Sequence, residues 1–195
     1  MRTAIKQFGM VFTSPSQAVD SHPAILVSLL WSCLVLCATF ALLLINSLNT
    51  SIISLSPVQL FVGGGRLESF LANFAVQMIV LCIPFAIVLG MDGIKKLLAN
   101  LAIIEVPGLV MALFGFLYET VFWHLYKLLP VSGLGAKAAF DAFFLLYPAL
   151  LMLVYRYVLI WIVAVKAGAD GRKIFLMTAI YLVLCVGLYV LGGVL

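Results

Sequence analysis

Ionisable side chains are scarce in this chain, and their positions are the first guide to chemistry. Of 195 residues, 66% are hydrophobic and 9% charged. Two charges fall inside long apolar runs: Glu105, nine residues after Lys96, and Arg156, ten before Lys166. A charge in hydrocarbon must find a partner or water. If both lysines mark the same membrane boundary, a rise of about 1.5 Å per residue sets both groups roughly 14 Å deep. Equal depth on antiparallel helices permits a Glu105–Arg156 ion pair, with backbone groups freed by Pro107 as further partners. Such a pair either fixes helix packing or forms a polar site for an ion, a proton or a lipid headgroup.

Other candidates carry less. Glu119 and Asp141 form an outer acidic pair that could hold a cation or share a proton, but both fall near the outer interface, where water suffices. His22 and His124 lie at opposite faces and cannot share a metal. Cys33, Cys37, Cys82 and Cys185 sit in apolar runs without a C-x-x-C spacing and read as small hydrophobes. Gly63-Gly64-Gly65 lacks the Lys-Ser/Thr of a phosphate loop and reads as a turn. Asn49-Thr50-Ser51 has the form of a glycosylation sequon but hugs the membrane. Gly187 and Gly192-Gly193 permit close helix approach. No G-x-S-x-G or H-E-x-x-H motif occurs, so no enzyme, cofactor or metal is expected.

The elements that must position these groups follow from hydropathy. A spanning helix needs about 20 apolar residues. Ala24–Ile45, Phe70–Gly90 and Ile174–Leu195 are charge-free runs. Leu97–Trp123 is apolar apart from Glu105 and Glu119, with a predicted kink at Pro107-Gly108. It is one long kinked span or a half-helix that re-enters; the single span is the reading adopted. Ala139–Val165 is apolar apart from Asp141 and Arg156 and is long enough to span with tilt. A signal peptide is the rival reading of the first run, but its apolar core would be only about 7–15 residues. The expected fold is all-α: a polytopic five-helix transmembrane bundle with a short N-terminal interfacial helix. One membrane domain covers 1–195, with a cytoplasmic or interfacial segment at 1–23 and spans near 24–45, 70–90, 97–123, 139–165 and 174–195.

Charge sets the expected orientation. Arg2, Lys6, Lys95, Lys96, Lys166, Arg172 and Lys173 fall on one side of this scheme, and Arg66, Lys127 and Lys137 on the other. The positive-inside rule then puts the N-terminus in the cytoplasm and the C-terminus outside. Tyr118, Trp123 and Tyr126 fall where an outer aromatic belt belongs. The formal charge of +4 includes no basic block, so no nucleic-acid partner is expected. Before the first span, Ile5, Phe8 and Phe12 recur at helical spacing beside Arg2 and Lys6, as in a helix lying on a leaflet. Ser14 suits an N-cap, Pro15 the first helical position, and Gln17 the far end of a capping box. Pro23 ends this elbow, which either anchors the chain or docks a cytosolic partner.

Three segments resemble a known family. Phe12-Thr13-Ser14-Pro15-Ser16-Gln17-Ala18 with Pro23 opening an apolar helix, Ile104-Glu105-Val106-Pro107-Gly108, and Trp161–Gly168 followed by Arg172-Lys173 resemble the Yip-one family. Its members are Ypt/Rab-GTPase-interacting five-span membrane proteins and their bacterial relatives. The resemblance implies five spans, a cytoplasmic N-terminus and an external C-terminus. The Asp-Leu-Tyr-Gly-Pro-like motif of eukaryotic members is absent, and only 23 residues precede the first span, so contact with a Rab-type GTPase is not expected. The short prokaryotic branch fits better, implying a bacterial inner membrane. The expected role is a non-catalytic scaffold or adaptor that binds lipid and other membrane proteins, or a second copy of itself. The alternative is a small transporter or channel subunit using Glu105 and Arg156.

Overall fold

The computed structural model describes residues 9–20, 25–49, 67–122, 139–140 and 142–192. Every regular element among them is helical. Residues 9–13 are helical and precede α1 (Pro15–Asp20), α2 (Ile25–Asn49), α3 (Leu67–Ala99) and α4 (Leu101–Leu117). A π-helical turn, Tyr118–Phe122, prolongs α4; a second, Ala142–Leu146, leads into α5 (Tyr147–Lys166), and α6 is Gly171–Gly192. The helices α2, α3, α5 and α6 are long and apolar enough to cross a membrane, whereas α4 is a shorter apolar helix. These helices mark a membrane-integral protein.

Contacts group the chain into two compact units. The first comprises Met1–Ser32, Phe74–Ile104 and Val158–Leu195. Its buried side chains include Phe85, Leu97, Ile104, Leu159 and Val163. Val11, Ala18 and Val19 of the N-terminal elbow are buried as well, whereas Phe12 is exposed. The elbow packs through Val11, Ala18 and Val19 and leaves Phe12 outward; Ile5 and Phe8 lie outside the described residues. The second unit comprises Cys33–Asn73 and Glu105–Tyr157. Its described core is Val35, Val106, Ala112, Tyr118 and Ala149. Tyr118 is buried against Phe140, ring centroids 6.2 Å apart, and Phe140 meets Phe144 at 4.6 Å. It packs inward rather than joining a belt; Trp123 and Tyr126 lie outside the described residues.

Two joints differ from the expected boundaries. The apolar run ending at Gly90 does not end its helix. Gly90 takes φ 68° and ψ −160° inside α3, a region essentially closed to residues with a Cβ. Helix resumes beyond it, so Lys95, Lys96 and Leu97–Ala99 belong to α3, not to a loop or to the next span. Gly93 makes the bend compact: a Cβ there would overlap Leu89 Cβ and come within 3.3 Å of the Phe85 carbonyl oxygen. The second joint is one residue long. The Asn100 N–H donates to Leu97 O at 3.1 Å and its side-chain Nδ2 to Lys96 O at 2.9 Å. The Asn100 carbonyl accepts from the N–H groups of Ile103 and Ile104. One residue thus closes α3 and opens α4, satisfying donors and acceptors that helix ends leave orphaned.

The connection from α5 to α6 follows directly from residue type. Gly168 has φ +91°, the left-handed conformation that ends helices. Ala169 N–H donates to Ala164 O and Gly168 N–H to Val165 O, both at 3.0 Å, which is the Schellman pattern. Asp170 then caps α6, its Oδ1 accepting from the Lys173 N–H at 2.8 Å.

Candidate functional site

Glu105 stands in the second turn of α4, and Arg156 lies midway along α5. The structure brings them together: Arg156 Nη2 donates to Glu105 Oε1 at 2.7 Å, with the two side chains 24% and 9% exposed. The distance is that of a charge-assisted hydrogen bond. Burial of both charges costs several kcal/mol per ion, about what their attraction returns. The pair is therefore a weak net source of stability but an expensive one to break.

The surroundings are arranged around one carboxylate. Ile104, Val106 and Pro107 flank Glu105 and are all buried. Pro107 lies inside α4, where its missing N–H removes the donor that would reach Ile103. Gly108 lies one turn on, and a Cβ there would stand 3.9 Å from Glu105 Oε2. A methyl group there would make only an ordinary van der Waals contact with the oxygen that Arg156 does not take.

Other predicted residues are placed as follows. Ser14 joins helical residues 9–13 to α1, its carbonyl accepting from Gln17 N–H at 3.0 Å and Ala18 N–H at 3.1 Å. Pro15 opens α1. The Ser14 N–H that a capping box would offer to Gln17 donates instead to Met10 O at 2.8 Å. Glu119 belongs to the π-helical turn Tyr118–Phe122, but its side chain, like Asp141, lies outside the described residues, so the outer acidic pair is not described. His22, His124 and Gly63-Gly64-Gly65 also lie outside them. No cluster of three His, Cys, Asp or Glu side chains forms among the described residues.

Sequence reasoning passed over three buried residues that each leave a polar atom unpartnered among the described residues. Ser28 and Ser32, one turn apart on α2, are buried with hydroxyls that have no hydrogen-bond partner among the described residues. Asn100 is equally buried, and its Oδ1 is likewise unpartnered. Elsewhere hydroxyls back-bond along their helices: Thr39 to Val35 O at 2.8 Å, Thr178 to Ile174 O at 2.9 Å. The available signal was the i, i+4 spacing of two serines within an otherwise apolar run. No family model, curated protein or solved structure matches the chain.

Proposed function

We propose that the protein is a non-catalytic membrane scaffold or adaptor of the Yip type, acting in a bacterial inner membrane through contacts with lipids and other membrane proteins. The observation that carries this reading is the direct 2.7 Å contact between Arg156 and Glu105. A direct charge pair between two helices acts as a clasp. The resemblance of the Ser14-Pro15-Ser16-Gln17 elbow and the Ile104–Gly108 segment to Yip-one proteins points the same way. In this reading α4, prolonged by its π-helical turn to Phe122, is the third of five crossings, about 30 Å long at helical rise. The N-terminus is then cytoplasmic and the C-terminus external. Reporter fusions at both ends test the odd number of crossings: activity in opposite compartments is expected, and the same compartment for both refutes it. Crosslinking in membranes tests the adaptor role. A specific membrane-protein partner or a second copy is expected; its absence, with vesicle shape unchanged on reconstitution, refutes the role.

The second reading is a small transporter or channel subunit. Glu105 Oε2, the carboxylate oxygen that Arg156 does not take, favours it. It requires flux into proteoliposomes that Glu105→Ala abolishes. Proteoliposomes without flux, or with flux that the substitution leaves intact, remove it.

A further inference from the structure

The corner between α5 and α6 concentrates positive charge where apolar helices end. Lys166 closes α5, Arg172 and Lys173 lie in the first turn of α6, and no acidic residue shares that turn. Cations there oppose the macrodipole, whose positive end is the helix N-terminus. Asp170 offsets part of this, but its Oδ1 accepts the Lys173 backbone N–H. Among the described residues neither the Arg172 guanidinium nor the Lys173 ammonium enters an ion pair, and both residues are exposed.

The bend at Gly90 brings more charge to this corner. Beyond Gly90, α3 buries Gly93 and Leu97 and exposes Asp92, Lys95 and Lys96. Lys96 Nζ donates to the Lys166 carbonyl at 2.9 Å, capping the C-terminus of α5. The exposed Lys95–Asp92 contact, at 3.4 Å, neutralises little in water. All these residues belong to the first compact unit.

We propose that this corner is a headgroup site for anionic phospholipid, with Arg172 and Lys173 as the principal phosphate contacts and Lys95 at the rim. It rests on the reading of α5 and α6 as membrane-crossing helices, and it adds the lipid class. Two observations independent of each other carry it: two unpaired cations on a helix N-terminus that disfavours them, and the Lys96–Lys166 contact that folds a third element onto the same corner. The level at which α5 ends and α6 begins is the headgroup level, so the anion at hand is a lipid phosphate. Basic side chains near an anionic surface each strengthen binding roughly fivefold at moderate salt.

Trp161, exposed on α5 five residues before Lys166, serves as reporter. In full-length protein carrying Trp31→Phe and Trp123→Phe, its quenching by brominated phosphatidylglycerol is compared with that by brominated phosphatidylcholine in mixed vesicles. Expected is a several-fold preference for phosphatidylglycerol that high salt weakens. Arg172→Gln and Lys173→Gln should each lower the preference, by at most roughly fivefold. The charge-keeping pair Arg172→Lys with Lys173→Arg should retain it, which separates lost charge from lost fold. Equal quenching by the two lipids overturns the proposal, as does a preference that survives both neutral substitutions. Loss of the preference on adding millimolar inorganic phosphate at constant ionic strength would assign the corner to a soluble anion and overturn it too. Partner crosslinking on the parent protein keeps the adaptor role separately testable: equal quenching by the two lipids with intact crosslinking rejects only this proposal, and a lipid preference without crosslinking rejects only the adaptor role.

Discussion

Removing either member of the Glu105–Arg156 pair should cost far more than removing both. At 2.7 Å and an effective dielectric constant of about 20, the attraction is about 6 kcal/mol. Desolvation of the two ions consumes most of it. The pair thus contributes little net stability, whereas one orphaned charge typically costs about 3–5 kcal/mol. Arg156 keeps 24% of its side chain exposed and makes a further interaction, so Glu105→Leu, which removes its carboxylate partner, should cost no more than about 3 kcal/mol. Arg156→Met strands the more deeply buried Glu105 and should cost about 4 kcal/mol. The double variant Glu105→Leu/Arg156→Met should fall within about 1 kcal/mol of the parent, because well-packed apolar residues replace a buried pair at little cost. Reversible unfolding in mixed micelles, titrated with a denaturing detergent and followed by fluorescence, gives the four free energies of the cycle. A second double variant, Glu105→Arg/Arg156→Glu, restores the charge pair in reverse and should recover most of the loss. If the losses in the first double variant add to within about 0.5 kcal/mol, the two side chains are not coupled and the clasp does not exist.

Substitutions at three further positions test the joints by the same unfolding measurement. Gly90→Ala forces a Cβ onto a backbone at φ 68° and should cost about 1–3 kcal/mol; an unchanged midpoint would mean the bend is absent. Gly93→Ala should cost about 1–3 kcal/mol by overlap with Leu89, and Gly93→Val more; equal stability of all three would show that the two halves of α3 do not meet there. Asp170→Ala removes the cap on the Lys173 N–H and should cost about 1 kcal/mol, with Asp170→Asn retaining most of the stability; an Asn variant as weak as the Ala one would deny the capping bond.

The long helices were legible because hydrocarbon demands long apolar runs, and α2, α5 and α6 carry them with few interruptions. The joints were harder. Leu97–Ala99 are apolar and continue smoothly into Leu101, so hydropathy cannot reveal that Asn100 separates two helices. Lys95 and Lys96 suggested a loop, yet charges are equally at home on the exposed face of a helix near a boundary. A lone glycine is also ambiguous, since Gly90 reads as the end of a run and acts as a bend within one. The α5–α6 connection could have been read in full, with Gly168 as the residue past the helix end and Asp170 as the next cap. At the candidate site, residue type and depth sufficed to single out Glu105 and Arg156. No residue count conveys that Arg156 takes one carboxylate oxygen, Oε1, and not the other.

In a bilayer the usual weighting of contacts is inverted. Exposed Leu30, Ile87, Leu151, Val183 and their neighbours would destabilise a soluble protein, but lipid is as apolar as they are, so burying them against another helix gains little beyond packing. What the bilayer does penalise is an unpaired polar group. Each compact unit accordingly contains a long-range polar contact between helices: Lys96 to the Lys166 carbonyl in one, Arg156 to Glu105 in the other. Both contacts use α5, the first at its end and the second along its length. Apolar side chains can slide past one another in this environment at small cost, and a charge-assisted hydrogen bond cannot. Helix register within each unit is therefore set by these contacts and by the glycine and asparagine joints that bring them into reach.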